Sequence, residues 1–245
     1  GQNPWNDWAN SAEGENGEVL EGWYMKHAHR PARVAEEHSE TAYTTFRALE
    51  FLKQHSQSPW CLHLSYIKPH WPYIAPSPYH QLFRDLELPS AIRSQNELKN
   101  PHPIYEAFTK IRVSRAFSKK EVRDRVLPTY LGLVKQLDDH LGRLFQFMKD
   151  QGSFDQTLIV FTSDHGDYLG DHWLGEKSWF HEPSVKIPLI VRDPSQSANF
   201  SRGSRSKDLV ESIDLIPTFI EALGGTFPDH ILEGKSLKPL LNCKS

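Results

Sequence analysis

An α/β fold, with an open and mostly parallel sheet flanked by helices, is what three features of the 245-residue sequence predict. Amphipathic helical patterns at 35–54 and 122–148 alternate with short apolar runs of strand length. Two of those runs, 158–161 and 187–191, are continuously apolar, as in strands covered on both faces of a parallel sheet. The composition, 38% hydrophobic and 24% charged with a net charge of -3, is that of an ordinary globular chain.

Residues 1–20 are polar and rich in Asn, Glu and Gly, and read as loop. Ala42, Phe46, Leu49 and Lys53, with Leu52 alongside, give the first helix its stripe, and Ser58-Pro59 breaks it. The run 60–67 has strand length and stops at the proline-rich 68–73. Residues 74–120 read as a long irregular excursion with a short helix, of the kind that walls a binding site. The second stripe is Val122, Val126, Tyr130, Val134, Leu137, Leu141, Phe145 and Met148, with Pro128 in the first turn or at a kink and Gly152 as the stop. A last helix starts at Asp214, with Pro217 in its first turn and Gly224 at its end.

Several classes are excluded at once. No apolar stretch approaches the ~20 residues that span a bilayer, and Lys and Arg are not clustered as nucleic-acid or membrane binding requires. Two cysteines, Cys61 and Cys243, do not make a disulfide framework. Cys61 sits inside an apolar run and reads as a buried core thiol. Compartment and oligomeric state stay open, a homo-oligomer included.

The chemistry concentrates in 163–172, just past the run 158–161. In an open parallel sheet ligands bind beyond the carboxyl ends of the strands. Asp164 and His165 are neighbours there, offering a carboxylate oxygen and an imidazole nitrogen to one divalent cation, and Gly166 relaxes the turn behind them. An ordinary polar turn is the alternative; the position at a strand end favours a site. Lys177, further along the same loop, suits an anionic substrate oxygen. Asp167, Asp171 and His172 read as supporting residues. In Lys68-Pro69-His70-Trp71-Pro72-Tyr73 the prolines hold His70 at low entropic cost, ready to donate to a substrate oxygen or a leaving group. Lys68 reads as a solvated side chain or, as the alternative, a second cation of the site.

These segments, in this order, resemble the later half of the sulfatase family of the alkaline phosphatase superfamily. The resemblance rests on Thr162-Ser163-Asp164-His165-Gly166-Asp167, Leu169-Gly170-Asp171-His172, Lys177 and the run 185–192. It extends to Pro69-His70-Trp71-Pro72, the helix around Asp138, Ser212 to Thr218, and Gly234-Lys235-Ser236-Leu237. Asp164-His165 and His181-Glu182-Pro183-Ser184 lean toward the branch of phosphonate monoester hydrolases and related arylsulfatases.

The resemblance implies a sulfatase-like fold and a metal-dependent hydrolase of sulfate or phosphonate/phosphate monoesters. It implies Asp164 and His165 as ligands of one divalent ion (Ca, Mg or Mn), Lys177 and His70 as substrate and catalytic contacts, and a small anionic ester as substrate. It also implies a formylglycine nucleophile, made from the first residue of Cys-x-Pro-x-Arg or Cys-x-Ala-x-Arg. The sequence has no such pentapeptide, and Asp138-Asp139, inside a helix, is not the family's paired acidic ligand. Residues 1–245 are therefore expected to be part of a catalytic domain, lacking its amino-terminal portion and a carboxy-terminal subdomain, and inactive alone. Two other readings are a two-metal phosphodiesterase or phosphatase of the same superfamily, for which His230 is the one late ligand candidate, and an inactive anion-binding relative. A carbohydrate-binding surface is weaker, because Trp71, Trp173 and Trp179 lie near the site segments and suit its walls.

Overall fold

The computed structural model describes residues 25, 27–228 and 230–242. The predicted loop 1–20 and Cys243 lie outside the described residues. The helices are α1 (Glu40–Gln54), α2 (Pro103–Thr109), α3 (Arg112–Phe117), α4 (Lys120–Asp150), α5 (Glu182–Val185), α6 (Leu215–Ala222) and α7 (Lys238–Asn242). The strands are β1 (Ile159–Thr162) and β2 (Leu189–Arg192). The chain divides into two compact units, one of 1–151 with 165–186, the other of 152–164 with 187–245.

In the first unit α1 packs on α4. Ser39 caps α1 by accepting from the Ala42 amide at 3.2 Å. The buried face of α1 is Thr41, Thr45, Ala48 and Leu52, one position away from the predicted stripe, and Phe46 is 56% exposed. Small and hydroxylated residues let the helices approach, and Thr45 satisfies its hydroxyl on Thr41 O (2.9 Å) and Tyr66 Oη (2.8 Å). On α4 the buried stripe runs Val126, Thr129, Leu133, Gln136, His140, Leu144 and Met148, while the predicted Val134 is exposed. Buried polar groups explain the shift: Gln136 Nε2 donates to Ser39 Oγ at 2.9 Å and His140 Nε2 meets Glu36 Oε1 at 2.5 Å. Pro128 lies well inside α4, where the helix tolerates its missing donor. Asp138 and Asp139 pair with Lys135 on the same helix, as a polar face. Gly132 sits where any Cβ would stand 2.2 Å from the Tyr79 carbonyl oxygen, so the chain at 79–80 lies directly on α4. Ala28, Tyr73, Phe117, Val126, Leu127 and Leu169 form the core.

The expected mostly parallel sheet is not what the described residues form: β1 and β2 pair antiparallel, Ile159 opposite Arg192 and Thr162 opposite Leu189. Continuous apolar runs report burial, not strand direction, and that is why the sequence misled. Nor are these strands covered on both faces; Thr162 is exposed and Ile190 is 63% exposed. Residues 60–67 carry no ladder among the described residues, yet they keep a period of two. Trp60, Leu62, Leu64 and Tyr66 are half-buried, Trp60 against Phe51 of α1. Cys61 falls on the other side and is exposed, so the expectation of a core thiol is corrected.

In the second unit Arg192 braces the strand pair by donating to Phe154 O (2.9 Å) and Asp155 Oδ1 (2.6 Å). Buried Thr218 of α6 donates to Asp214 O and accepts from Leu237 N (2.8 Å), while Lys235 N donates to Asp214 Oδ1 (2.7 Å). The two late motifs, 212–218 and 234–237, are thereby one packed element.

Candidate active site

The loop that follows His165 is nailed to the first unit through its backbone. Arg123, itself buried, donates Nε to Leu169 O at 3.1 Å. Arg93 donates to Phe117 O and Gly170 O and lies over the Trp173 ring at 4.3 Å. Asp171 Oδ1 accepts from Ile92 N at 2.9 Å, and Trp173 Nε1 donates to Ser94 O at 2.8 Å. The excursion predicted to wall a site therefore holds the loop that runs from His165 to Lys177. Lys68 is not simply solvated: Nζ donates to Pro72 O at 2.7 Å and clamps the turn that presents His70.

Gly166 is required for the loop's return. Its amide donates to Ser184 O at 2.8 Å, and a Cβ there would lie 1.9 Å from Pro183 O. The backbone on both sides of Lys177 is strained, with Glu176 at φ 59° and Ser178 at φ 102°. Such left-handed residues cost roughly 1–3 kcal/mol each and persist where the surroundings hold them, commonly at functional sites.

Three side chains meet here. Lys177 Nζ lies 2.9 Å from His70 Nε2 and 2.8 Å from His165 Nε2. The two imidazole centroids are 5.6 Å apart at 70°. Each ring's tautomer follows from its other nitrogen. His70 Nδ1 is 2.9 Å from Trp71 O and His165 Nδ1 is 2.7 Å from Gly166 O. A carbonyl only accepts, so Nδ1 carries the proton in both rings and Nε2 presents its lone pair to the ammonium. The predicted His70, His165 and Lys177 thus come together. Asp164, exposed after β1, falls in the second unit, because the division passes between it and His165.

Two connections were not foreseen. Tyr73 Oη donates to Asp167 Oδ2 at 2.8 Å, and Leu169 N donates to Asp167 Oδ1 at 3.0 Å. Burial pushes the Asp167 carboxyl up to about 6 against the pull of those bonds, with the Glu176 charge adding to the rise. Burial, then the Asp167 charge, holds the Tyr73 hydroxyl well above its usual value. Tyr168 Oη lies 2.9 Å from His181 Nδ1, and the His181 ring stacks on His172 at 4.1 Å. Aspartate two residues after the loop histidine and tyrosine three after His70 were the available signal.

As a metal site the geometry is incomplete. His165, with Nδ1 tied to a carbonyl, has the donor arrangement of an imidazole ligand. Among the described residues, however, no group of three or more His, Cys, Asp or Glu side chains is placed to hold a metal ion. No helix of the described residues is long and apolar enough to cross a membrane.

A lysine held between two oriented imidazoles thus sits on a loop pinned to a helical layer of the first unit. The chain belongs to the sulfatase family, whose model matches residues 3–225. It is 38% identical over 224 residues to the multifunctional alkaline phosphatase superfamily protein PehA of Trinickia caryophylli, covering 86% of this chain and 43% of that protein. It is 27% identical over 213 residues to an arylsulfatase of Clostridium perfringens, covering 86% and 44%. The fold matches a phosphonate monoester hydrolase from Silicibacter pomeroyi with a TM-score of 0.81 and 29% identity, over 98% of this chain and 48% of that one. A phosphonate monoester hydrolase of Agrobacterium radiobacter matches with a TM-score of 0.78 and 28% identity, over 87% and 44%. The chain thus spans less than half the length of these relatives.

Proposed function

We propose that this chain supplies the substrate-anchoring half of a hydrolase acting on sulfate or phosphonate/phosphate monoesters of small molecules. The observation that carries the reading is the convergence of His70 Nε2 and His165 Nε2 on Lys177 Nζ. An ammonium held this way is aimed before substrate arrives, and a preorganised donor stabilises charge without reorganising during the reaction. Its protons can turn from the imidazoles to a non-bridging oxygen of the ester. His70, with Nδ1–H fixed on Trp71 O, needs only a proton on Nε2 to deliver one to the departing oxygen. His165 and the neighbouring Asp164 would contribute ligands to a divalent ion (Ca, Mg or Mn), whose charge would favour the anionic ester. In this reading the formylglycine nucleophile belongs to the portion of the relatives that this chain does not match.

The test is kinetic, in the whole protein, with phenyl sulfate and a phenyl phosphonate ester as substrates. Lys177→Ala is expected to lower kcat/KM by about 10²–10³-fold, the cost of one lost oxyanion donor. Unchanged kcat/KM for both esters in Lys177→Ala rejects the reading.

A further inference from the structure

Lys177 stands on a stretch of backbone that would relax if it were released. His172, Trp173, Glu176 and Ser178 all take left-handed conformations, at φ 51°, 62°, 59° and 102°. Residues other than glycine hold such conformations only where their surroundings impose them. Whatever keeps 172–178 closed is therefore part of what aims the lysine.

The holding contacts lie at the ends of this stretch. His172 is fixed on the excursion: its amide donates to Ile92 O at 2.9 Å, its carbonyl accepts from Tyr105 Oη at 2.5 Å, and its Nδ1 lies 3.3 Å from Glu97 Oε1. The His181 ring lies flat on this post, with centroids 4.1 Å apart and planes 11° from parallel. Burial, then the nearby His172, lowers His181 below its ordinary value of 6.5, so at pH 7 that ring is neutral and two like charges do not face each other. On its far side His181 is held by the start of α5, where its carbonyl accepts from Ser184 N at 2.9 Å. Tyr168 ties this end to the lysine. Its hydroxyl lies 2.9 Å from His181 Nδ1, and its amide donates to the carbonyl of Glu176, the residue before Lys177, at 2.8 Å. One buried tyrosine thus grips the chain on both sides of Lys177.

We propose that His172 and His181 are positioning residues, whose ring stack clasps the ends of 172–181 and so keeps Lys177 aimed at His70 and His165. They act through the backbone between them. With the clasp open, the left-handed residues relax and the ammonium leaves the two imidazoles. The consequence for an anionic ester rests on the reading of Lys177 as its anchor; the clasp itself does not.

The two parts are tested separately, in the whole protein. Acetylation of Lys177, followed by peptide mass spectrometry against the exposed Lys53, reads how often the amine is released. His172→Ala and His181→Ala should each raise it about tenfold, the effect of losing one ring pair with its hydrogen bond. His181→Phe keeps a flat ring on His172 and should restore most of the protection. Tyr168→Phe removes only the bond to His181 and should raise acetylation about threefold; it takes the place of an alanine variant that circular dichroism shows to be unfolded. Hydrolysis of phenyl sulfate supplies the second readout. His181→Ala should lower kcat/KM about tenfold in the parent and have no further effect in Lys177→Ala, because a residue that acts through the lysine then has nothing left to position. Equal losses in the two backgrounds mark a merely structural role and overturn the proposal. So does Lys177 acetylation unchanged in the folded alanine variants, or in Tyr168→Phe where these do not fold, and so does a His181→Phe as reactive as His181→Ala. Acetylation that responds to His181→Ala, while Lys177→Ala leaves kcat/KM unchanged, rejects the anion reading and keeps the clasp.

Discussion

Tyr73 donates its hydroxyl proton to Asp167 over 2.8 Å, a bond that ties the loop presenting His70 to the loop presenting His165. Tyr73 is also buried in the core, edge-on to Phe117 at 5.9 Å, so the tie is anchored at both ends. Tyr73→Phe keeps the ring and removes only the donor. A hydrogen bond to a charged group is worth about 1.5–3 kcal/mol, and that is the expected loss in unfolding free energy at pH 8, where Asp167 is ionised. At pH 5 the carboxyl holds its proton and the loss should fall to about 1 kcal/mol, the value of a neutral bond. Urea unfolding at the two pH values measures both.

His70 is expected to act on the leaving group rather than on binding. In the whole protein His70→Gln should leave KM near its original value. It should lower kcat by about 10²–10⁴-fold for esters of alcohols with high pKa, which need a proton as they depart. Esters of 4-nitrophenol, which leave as anions, should be much less affected. A Brønsted plot of kcat against leaving-group pKa, steeper in the variant than in the parent, is the readout. Equal losses across the series would place His70 in anion binding instead.

How far the sequence reached can be judged from α4. Its existence was plain from a hydrophobic period sustained over 122–148, but the stripe was placed on Val134 and Leu137 when the buried face includes Gln136 and His140. Hydrophobicity marks a buried face only when the face is apolar, and here hydrogen bonds to Ser39 and Glu36 satisfy polar residues inside. β1 and β2 were located to within two residues, yet their antiparallel pairing was not foreseen, because direction is decided by the connection and the neighbouring strands. His70 and His165 were legible as candidates because a proline-fixed turn and a glycine-fixed turn carry them. The Tyr73–Asp167 and Glu97–His172 contacts were not, since they join residues 94 and 75 positions apart.

Gly166 offers a test of local geometry alone. A Cβ at this position would stand 1.9 Å from Pro183 O and 2.9 Å from its carbon, both backbone atoms that cannot rotate away. Gly166→Ala must push apart the 165–167 turn and the start of α5, breaking the Gly166 N to Ser184 O bond. The expected cost is about 1–3 kcal/mol, that of an overpacked site. Gly142→Ala, where a Cβ meets nothing within 4 Å in the middle of α4, should instead stabilise by up to about 1 kcal/mol. Parallel denaturation of the two variants checks the contrast; equal effects would mean that the turn at 166 is looser than its contacts require.

In the second unit Asp193 is buried, with 5% of its surface exposed, and its Oδ2 accepts from Lys238 Nζ at 2.7 Å while Oδ1 accepts from Ser195 N at 2.8 Å. Burial on its own would raise the carboxyl, but the Lys238 and Ser195 hydrogen bonds outweigh it and hold the group below its ordinary value of 3.8. A carboxyl depressed in the folded state binds fewer protons folded than unfolded, so its stabilisation is complete above the unfolded value and drains away as pH falls through the folded one. The unfolding temperature should therefore be insensitive to this group from pH 7 to about 5 and decline below pH 4. Asp193→Asn leaves the half-buried Lys238 without its counter-charge and should cost about 3 kcal/mol at pH 7, the lower end of the penalty of breaking a buried pair from one side. That difference from the parent should shrink as the pH is lowered below 4, because protonation removes the same charge. Replacing both partners, Asp193→Asn with Lys238→Met, should recover most of the loss at pH 7. Differential scanning calorimetry of the parent, the two single variants and the double variant at pH 7 and pH 3.5 completes the cycle, and a double variant no more stable than Asp193→Asn would show that the lysine charge is not what the substitution strands.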